Sequence, residues 1–291
     1  MDKPLPRTMW ERYEPVHDLV YAPGIRRTTD ALGMRGFWMG YFALRAAPLG
    51  AAAPAVVTSC FYVFHPSRVA RALPDAWTYA RPDEVLAARE QAVDAAMTRL
   101  FGAEAVGSPE MTEAADLAWT AAAAADTGGR VLGAANQALE RPKQPHVRLW
   151  QAVTTLREHR GDGHVAALVS QGLGPVAAMV LKSAAGESDG AVLREGRKWD
   201  LAAWRAAGAE LRERGLLAAD GTLTAAGAAE REAVEARTDA AAERPWTVLG
   251  RDATERLARL LEPLAEAVRG AGLLPSGNPV GLTGAPEVTR E

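Results

Sequence analysis

The sequence is poor in cysteine and lacks long apolar runs. Its 291 residues contain one cysteine, Cys60, which cannot form a disulfide within the chain. No segment approaches the roughly 20 consecutive apolar residues of a membrane span, and the first residues lack the apolar core of a signal peptide. These absences exclude a disulfide-stapled secreted scaffold. They predict a chain that does not enter the membrane and works in the cytoplasm.

The sequence also lacks an excess of positive charge and the motifs of cofactor chemistry. The net charge is −3 and the pI is about 6.0, so no overall positive field attracts a phosphate backbone. There is no GxGxxG, P-loop or HExxH motif and no cluster of cysteines. We therefore predict no cofactor and no resident metal, and we disfavour cofactor-dependent redox and phosphoryl-transfer enzymes.

What is abundant is alanine, which favours helix throughout the chain. Prolines in residues 1–30 indicate an N-terminal extension, and the segment RPKQP at 141–145 indicates a boundary. The predicted organisation is an extension (1–30), a first unit (31–140), a second unit (146–275) and a flexible tail (276–291).

The two predicted units share features in the same order. Phe37-Trp38 aligns with Leu149-Trp150, and Leu44-Arg45 aligns with Leu156-Arg157 at the same offset. An Asp-Ala-Ala triplet, beginning at Asp94 in one unit and at Asp239 in the other, also recurs. Because tryptophan is rare, these matches favour an internal duplication.

In the second unit, a helix that ends at Gly215 is followed by two short apolar stretches around an Asp220-Gly221 turn and by a helix capped near Thr224. At these residues the sequence resembles the MarR-like winged-helix proteins. Over its whole length, with ALGMRGFWMGYFALRAAPLG, LREHRGDGHVAALV and PWTVLG as the telling segments, it is similar to an actinobacterial helix-turn-helix family of unknown function. The expected fold is mainly α, with two tandem winged-helix-like units that form an internal pseudo-dimer and carry small two-stranded wings.

The resemblance implies double-stranded DNA as a partner. Reading the helices after Pro66 and Pro175 as recognition helices makes Arg68, Arg71 and Lys182 the DNA-binding candidates. Few basic residues accompany them, which weighs against strong sequence-specific binding.

The segment LREHRGDGH, residues 156–164, concentrates charge before an apolar stretch. His159 or His164 would serve as a general base, with Asp162 orienting one of them. The simpler alternative is a solvated loop in which Asp162 caps a helix that starts at His164.

Arg45 and Arg157 are equivalent by the duplication, and we predict that they grip an anionic ligand together. The neighbouring Trp38 and Tyr41 suit a flat organic molecule, although aromatic residues at such positions are more often core. The other ligand-binding candidates are His17 and His65, for each of which a structural role is the simpler interpretation.

These patterns support two hypotheses of different class. The first is a ligand-responsive transcriptional regulator that binds a small organic metabolite between its two units and DNA on one face. The alternative is an enzyme or binding protein of specialised metabolism, without DNA binding, that uses His159, His164 and Asp162 for acid–base work and Arg45 with Arg157 as an anion clamp. Either protein would be a monomer, as a pseudo-dimer, or a homodimer.

Overall fold

The computed structural model of the chain describes residues 3–21 and 23–272, and this part is mainly helical. The predicted tail at 276–291 lies outside the described residues. Two short 3-10 helices are Asp18–Tyr21 and Ala47–Leu49. The first ten α-helices are α1 (Leu5–His17), α2 (Pro23–Ala31), α3 (Gly36–Ala46), α4 (Pro54–Cys60), α5 (Pro66–Ala70), α6 (Ala76–Tyr79), α7 (Pro82–Phe101), α8 (Ala103–Val106), α9 (Pro109–Ala123) and α10 (Val131–Gln137). The remaining ones are α11 (Pro145–Ser170), α12 (Pro175–Ala184), α13 (Gly190–Arg197), α14 (Leu201–Glu213), α15 (Ala225–Ala241), α16 (Arg244–Leu249) and α17 (Arg251–Gly270).

Local sequence signals set where many of these helices begin. Proline, whose fixed φ suits the first helical turn and whose missing N–H is not needed there, opens α4, α5, α7, α9, α11 and α12. The side chains of Ser108, Asp189, Asp200 and Thr224 each accept a hydrogen bond from the backbone N–H three residues later, at the starts of α9, α13, α14 and α15.

The central element is α11, whose 26 residues span about 39 Å at the usual helical rise. It packs against α9, α10, α15 and α1. The predicted loop at 156–164, with Asp162 capping a new helix at His164, is wrong, because the whole segment is helical. Gly163 does not break the helix there. It provides space, since a Cβ at this position would collide with the Arg130 guanidinium and touch Ala241.

Two hydrophobic clusters share α11. The larger one surrounds the first half of α11 and is built from α1, α3, α7, α9 and α17, with Trp150 at its centre. The smaller one gathers the last turns of α11 with α12, α13, α14 and α15 around Leu211. The larger cluster includes residues from both of the units predicted from sequence. It does not separate the two units, and the division at 140–146 therefore stays a prediction.

The predicted two-stranded wings are absent from the described residues, which contain no β-strand. After α14 the chain makes a tight turn at Asp220-Gly221, but the only ladder contact there is an isolated antiparallel bridge between Leu217 and Leu223. The extended stretches are too short for strands, because Thr224 leaves the turn at once to cap α15. The winged-helix form of the fold expectation is therefore wrong, whereas its mainly helical character is correct.

Within residues 3–21 and 23–272, no single helix is long and apolar enough to cross a membrane. Two pairs, Gly36–Leu49 with Pro54–Cys60 and Pro145–Ser170 with Pro175–Ala184, reach that length and composition only when taken together across bends of 91° and 99°.

Candidate functional site

A cavity of about 570 Å³ lies between the two hydrophobic clusters. Its walls come from α3, from the segment that joins α4 to α5, from the middle of α11, and from α12 and α13. This volume is in the range of pockets that hold small organic molecules. Four of the predicted ligand-binding residues, on two distant stretches of sequence, line it together: Trp38, Tyr41, Arg45 and Arg157.

One wall of the cavity is aromatic. Trp38 and Tyr41 follow each other on successive turns of α3, and Phe61 and Phe64 face them from the segment after α4. The ring centroids of Trp38 and Phe64 are 5.7 Å apart, as are those of Tyr41 and Phe64. Such tilted and edge-on contacts are the favoured geometries of aromatic clusters. The aromatic side chains of this wall therefore pack against each other without a ligand.

Arg45 and Arg157, which were predicted to bind an anion together, already bind a carboxylate of the protein. Arg45 Nη2 donates to both carboxylate oxygens of Glu158 at 2.7 and 2.9 Å, and Arg157 Nη1 donates to Glu158 at 3.0 Å. Arg157 Nε also donates to Glu14 at 3.2 Å. Burial would raise the pKa of Glu158, but the charges of Arg45 and Arg157 outweigh it and lower that pKa to about 2. Glu158 therefore stays an anion and neutralises the pair of arginines.

Asp18 is a cavity residue that sequence reasoning missed. It directly follows α1 in the chain, and it is 1% exposed. Neither oxygen of its carboxyl group has a hydrogen-bond partner among the described residues. Burial and the nearby charge of Glu14 raise the pKa of Asp18 well above its ordinary value. No local motif marks it, since an Asp after a helix is usually solvated.

The predicted acid–base group does not assemble. Asp162 lines the cavity, but its Oδ2 accepts a hydrogen bond from the Gly133 backbone N–H at 2.8 Å, and His164 shares its Nδ1 hydrogen bond with Thr238 at 3.0 Å. His159 is buried away from the cavity lining, and burial together with the Arg130 charge lowers its pKa to about 4. Burial raises the pKa of Asp162 to about 6. Among the described residues, neither His159 nor His164 is hydrogen-bonded to Asp162.

The two remaining histidine candidates lie outside the cavity and form hydrogen bonds within the protein. His17 is buried, shares a hydrogen bond between its Nδ1 and Thr154 Oγ1 at 3.0 Å, and stacks on Trp150. His65 precedes α5, where its Nδ1 accepts from the Ser67 backbone N–H at 3.2 Å. Neither lines the cavity.

The DNA-binding candidates do not share one exposed face. Lys182 lines the cavity. Arg68 lies over the Trp38 ring at 4.6 Å and donates to the Glu195 carbonyl oxygen at 2.9 Å. Arg71 is exposed just after α5. Neither helix that follows Pro66 or Pro175 thus has the surface of a recognition helix.

Two helices joined by a turn of helix-turn-helix length lie further along the chain. Helices α13 and α14 are joined by residues 198–200, in which Lys198 has a left-handed φ of 67° and Asp200 caps α14. A turn of three to four residues between two helices is one feature of this motif. The signal in the sequence was the cap, Asp200 followed by a helical pattern up to the glycine at 215.

A short segment, residues 62–68, fastens α13 to the first cluster, and we call it the clamp. The Trp199 Nε1 donates to the Val63 carbonyl oxygen at 2.9 Å, and the His65 N–H donates to the Arg197 carbonyl oxygen at 3.0 Å. The Arg68 contact with Glu195 belongs to the same set. The clamp thus connects the aromatic wall of the cavity directly to the end of α13.

Comparison with known proteins gives one match. Residues 6–275 match the profile of a family described as a helix-turn-helix family. No curated protein and no solved structure matches the chain.

Proposed function

The chain belongs to the helix-turn-helix family that matches residues 6–275, and from this membership we propose that it is a DNA-binding transcriptional regulator that responds to a small organic metabolite. The family suggests DNA binding in general. We further propose, from the contacts described above, that the cavity binds the metabolite and that this binding changes the affinity for DNA.

We assign the helix-turn-helix to α13 and α14, with α14 as the recognition helix. The outward face of α14 is accessible at Ala202, Arg205, Ala206 and Ala209. Small side chains allow the helix backbone to approach a major groove closely, and an arginine is the commonest reader of guanine. The turn at residues 198–200 sets the angle between the two helices.

The observation that carries the proposed response is that α13 belongs to both sites. Val192, Leu193, Gly196 and Arg197, all on α13, line the cavity, and α13 leads directly into α14. A molecule that enters the cavity touches the first helix of the motif. Since a ligand shifts an equilibrium only through differential contacts with two states, direct contact with α13 supplies the required physical link.

The DNA part of the proposal is tested by selection of duplexes from random or genomic DNA with the full chain at low and moderate salt. We expect Arg205→Ala to weaken binding of a selected duplex about tenfold or more, which is the usual cost of losing one base-reading arginine. Arg259→Ala, which removes an equally exposed positive charge on α17, is the matched control and should bind as the unmodified chain does. If no duplex is retained at any salt, or if both variants lose affinity equally, the assignment of α14 is wrong.

The metabolite part is tested by screening compounds for thermal stabilisation and repeating the DNA titration with each stabilising compound. We expect at least one compound to change the affinity for DNA, with a smaller change in a variant whose cavity is filled, such as Gly196→Trp. Stabilisation without any change in DNA affinity would contradict a regulatory role for the cavity.

A further inference from the structure

We infer that Asp18 is the hydrogen-bonding anchor of the cavity, and that the cavity takes an uncharged aromatic molecule bearing an O–H or N–H donor. This inference deepens the proposed function and rests on it for its biological meaning. The binding itself is a property of the cavity and can be measured without DNA.

The first step is that Asp18 has an unmet hydrogen-bonding capacity at a cavity wall. It is 1% exposed, so bulk water does not solvate it, and neither carboxyl oxygen has a hydrogen-bond partner among the described residues. Buried polar groups are nearly always hydrogen-bonded, because leaving them unpaired is costly. An unpaired carboxyl group on a residue that lines a cavity is explained when a ligand supplies the donor.

The second step is that the other charged groups near Asp18 are engaged by each other. Arg45 donates to Glu158 and to the Tyr41 hydroxyl at 2.7 Å, and Arg157 donates to Glu14 and Glu158. An anionic ligand would have to displace Glu158 from both arginines. A ligand that donates to Asp18 leaves these ion pairs intact.

The third step concerns the charge of the ligand. Arg45 lies over the Phe61 ring at 4.5 Å, and Arg197 lies over the Phe64 ring at 4.5 Å. Cations therefore already occupy the ring faces that would attract a cationic ligand, and they would repel it. A flat uncharged molecule packs against the aromatic wall without either penalty.

The test compares three probes of the same ring system by calorimetric or fluorescence titration into the full chain. The first, 2-naphthol, is uncharged and has an O–H donor; 2-methylnaphthalene is of the same shape without a donor; 2-naphthoate is anionic. We expect the unmodified chain to bind 2-naphthol about tenfold more tightly than 2-methylnaphthalene, and 2-naphthoate most weakly. Equal binding of the first two, preference for 2-naphthoate, or no binding of any probe overturns the inference.

Variants assign the preference to Asp18. Asp18→Leu, which puts two methyl groups in place of the two carboxyl oxygens, should reverse the preference in favour of 2-methylnaphthalene and raise the melting temperature of the unliganded chain. A merely structural Asp18 predicts the opposite change in melting temperature. Should Asp18→Leu not fold, Asp18→Ala also removes both carboxyl oxygens and should abolish the preference for 2-naphthol over 2-methylnaphthalene. Asp75→Asn, an exposed carboxyl outside the cavity, is the control and should leave the preference unchanged.

The two proposals fail separately. If the probes rank as expected and Asp18→Leu reverses their order while no duplex DNA is ever bound, the regulator is wrong and the anchor stands. If DNA binding responds to a metabolite while the Asp18 variants keep the original order of the probes, the anchor is wrong and the regulator stands.

Discussion

At the scale of single residues, the buried group of Arg45, Arg157 and Glu158 shows why charge inside a core must be balanced. Glu158 has an exposed side-chain fraction of 4%, and it is held by two guanidinium groups. Removing one member of a buried ion pair leaves the others uncompensated in a medium that solvates them poorly. The group therefore stabilises the fold only when it is complete.

We expect Glu158→Gln to lower the free energy of unfolding by about 3–5 kcal/mol, because it leaves Arg45 without its buried counter-charge and leaves Arg157 with Glu14 alone. Urea unfolding at neutral pH measures the change. Glu255→Gln, at the exposed pair that Glu255 forms with Arg251 on α17, should have no measurable effect. Similar losses in the two variants would show that the buried group does not act as described.

Asp162 gives a prediction with a defined pH window. Its pKa is raised to about 6 by burial, so between about pH 4 and pH 6 the unfolded chain releases a proton that the folded chain keeps. The stability that this group contributes is complete below about pH 4 and is lost as the pH rises through about 6. Asp162→Asn should flatten this fall in unfolding free energy by about 2 kcal/mol, as measured by urea unfolding across the window. Asp75→Asn serves as the comparison; if it flattens the curve equally, the effect does not come from Asp162.

At the scale of elements, α11 shows that a glycine can mark close packing in place of a turn. Gly161 and Gly163 lie two residues apart in the same helix, yet their surroundings differ. A Cβ on Gly163 would collide with Arg130, which donates to the carbonyl oxygens of His159 and Ala241. A Cβ on Gly161 would meet its nearest side-chain atom at 4.0 Å.

This difference predicts opposite effects for one substitution at two positions. Gly161→Ala should raise the free energy of unfolding by about 0.5–1 kcal/mol, since alanine favours helix. Gly163→Ala should lower it by about 1–3 kcal/mol, because the methyl group displaces Arg130 from its two carbonyl partners. Thermal or urea unfolding of the two variants measures these changes. A higher free energy of unfolding in both variants would mean that Gly163 has no packing role.

At the scale of the whole molecule, the clamp and α11 connect the two hydrophobic clusters. The clamp contacts α13 through backbone and side-chain hydrogen bonds, whereas α11 runs through both clusters as one continuous helix. The cavity lies between these two connections. A small change in the clamp therefore alters how the α13–α14 motif is held relative to the rest of the chain.

We expect Trp199→Phe to loosen the motif without unfolding the chain. The ring still packs on His65, but the donor to the Val63 carbonyl oxygen is lost. Hydrogen exchange should become severalfold faster in α13 and α14 and stay unchanged in α9. Trp119→Phe, a change of the same size on the first cluster, should leave α13 as it was. If hydrogen exchange in α13 is unchanged in Trp199→Phe, the clamp does not hold the α13–α14 motif in place.

The sequence predicted the helical class, the turn at Asp220-Gly221 and several residues around the cavity. It also placed Trp38 and Arg45 near Arg157, although the stretches are more than a hundred residues apart, and the structure brings them to one cavity. Their role in binding a ligand stays a proposal. The wings and the loop at 156–164 were predicted wrongly, because each depended on how distant elements pack. The recognition helices after Pro66 and Pro175 stay a prediction, and α14 is proposed in their place.

What the sequence determined by itself is local. Prolines at helix starts, capping side chains such as Asp200 and Thr224, and an alanine-rich pattern act within a few residues, so they can be read without the fold. Tertiary structure alone decided that Gly163 lies inside a helix, that Glu158 binds both arginines, and that Asp18 lines the cavity without a hydrogen-bond partner among the described residues. The physical reason is that hydrogen bonding and burial depend on groups brought together from far along the chain, and no local pattern records which group a buried charge will meet.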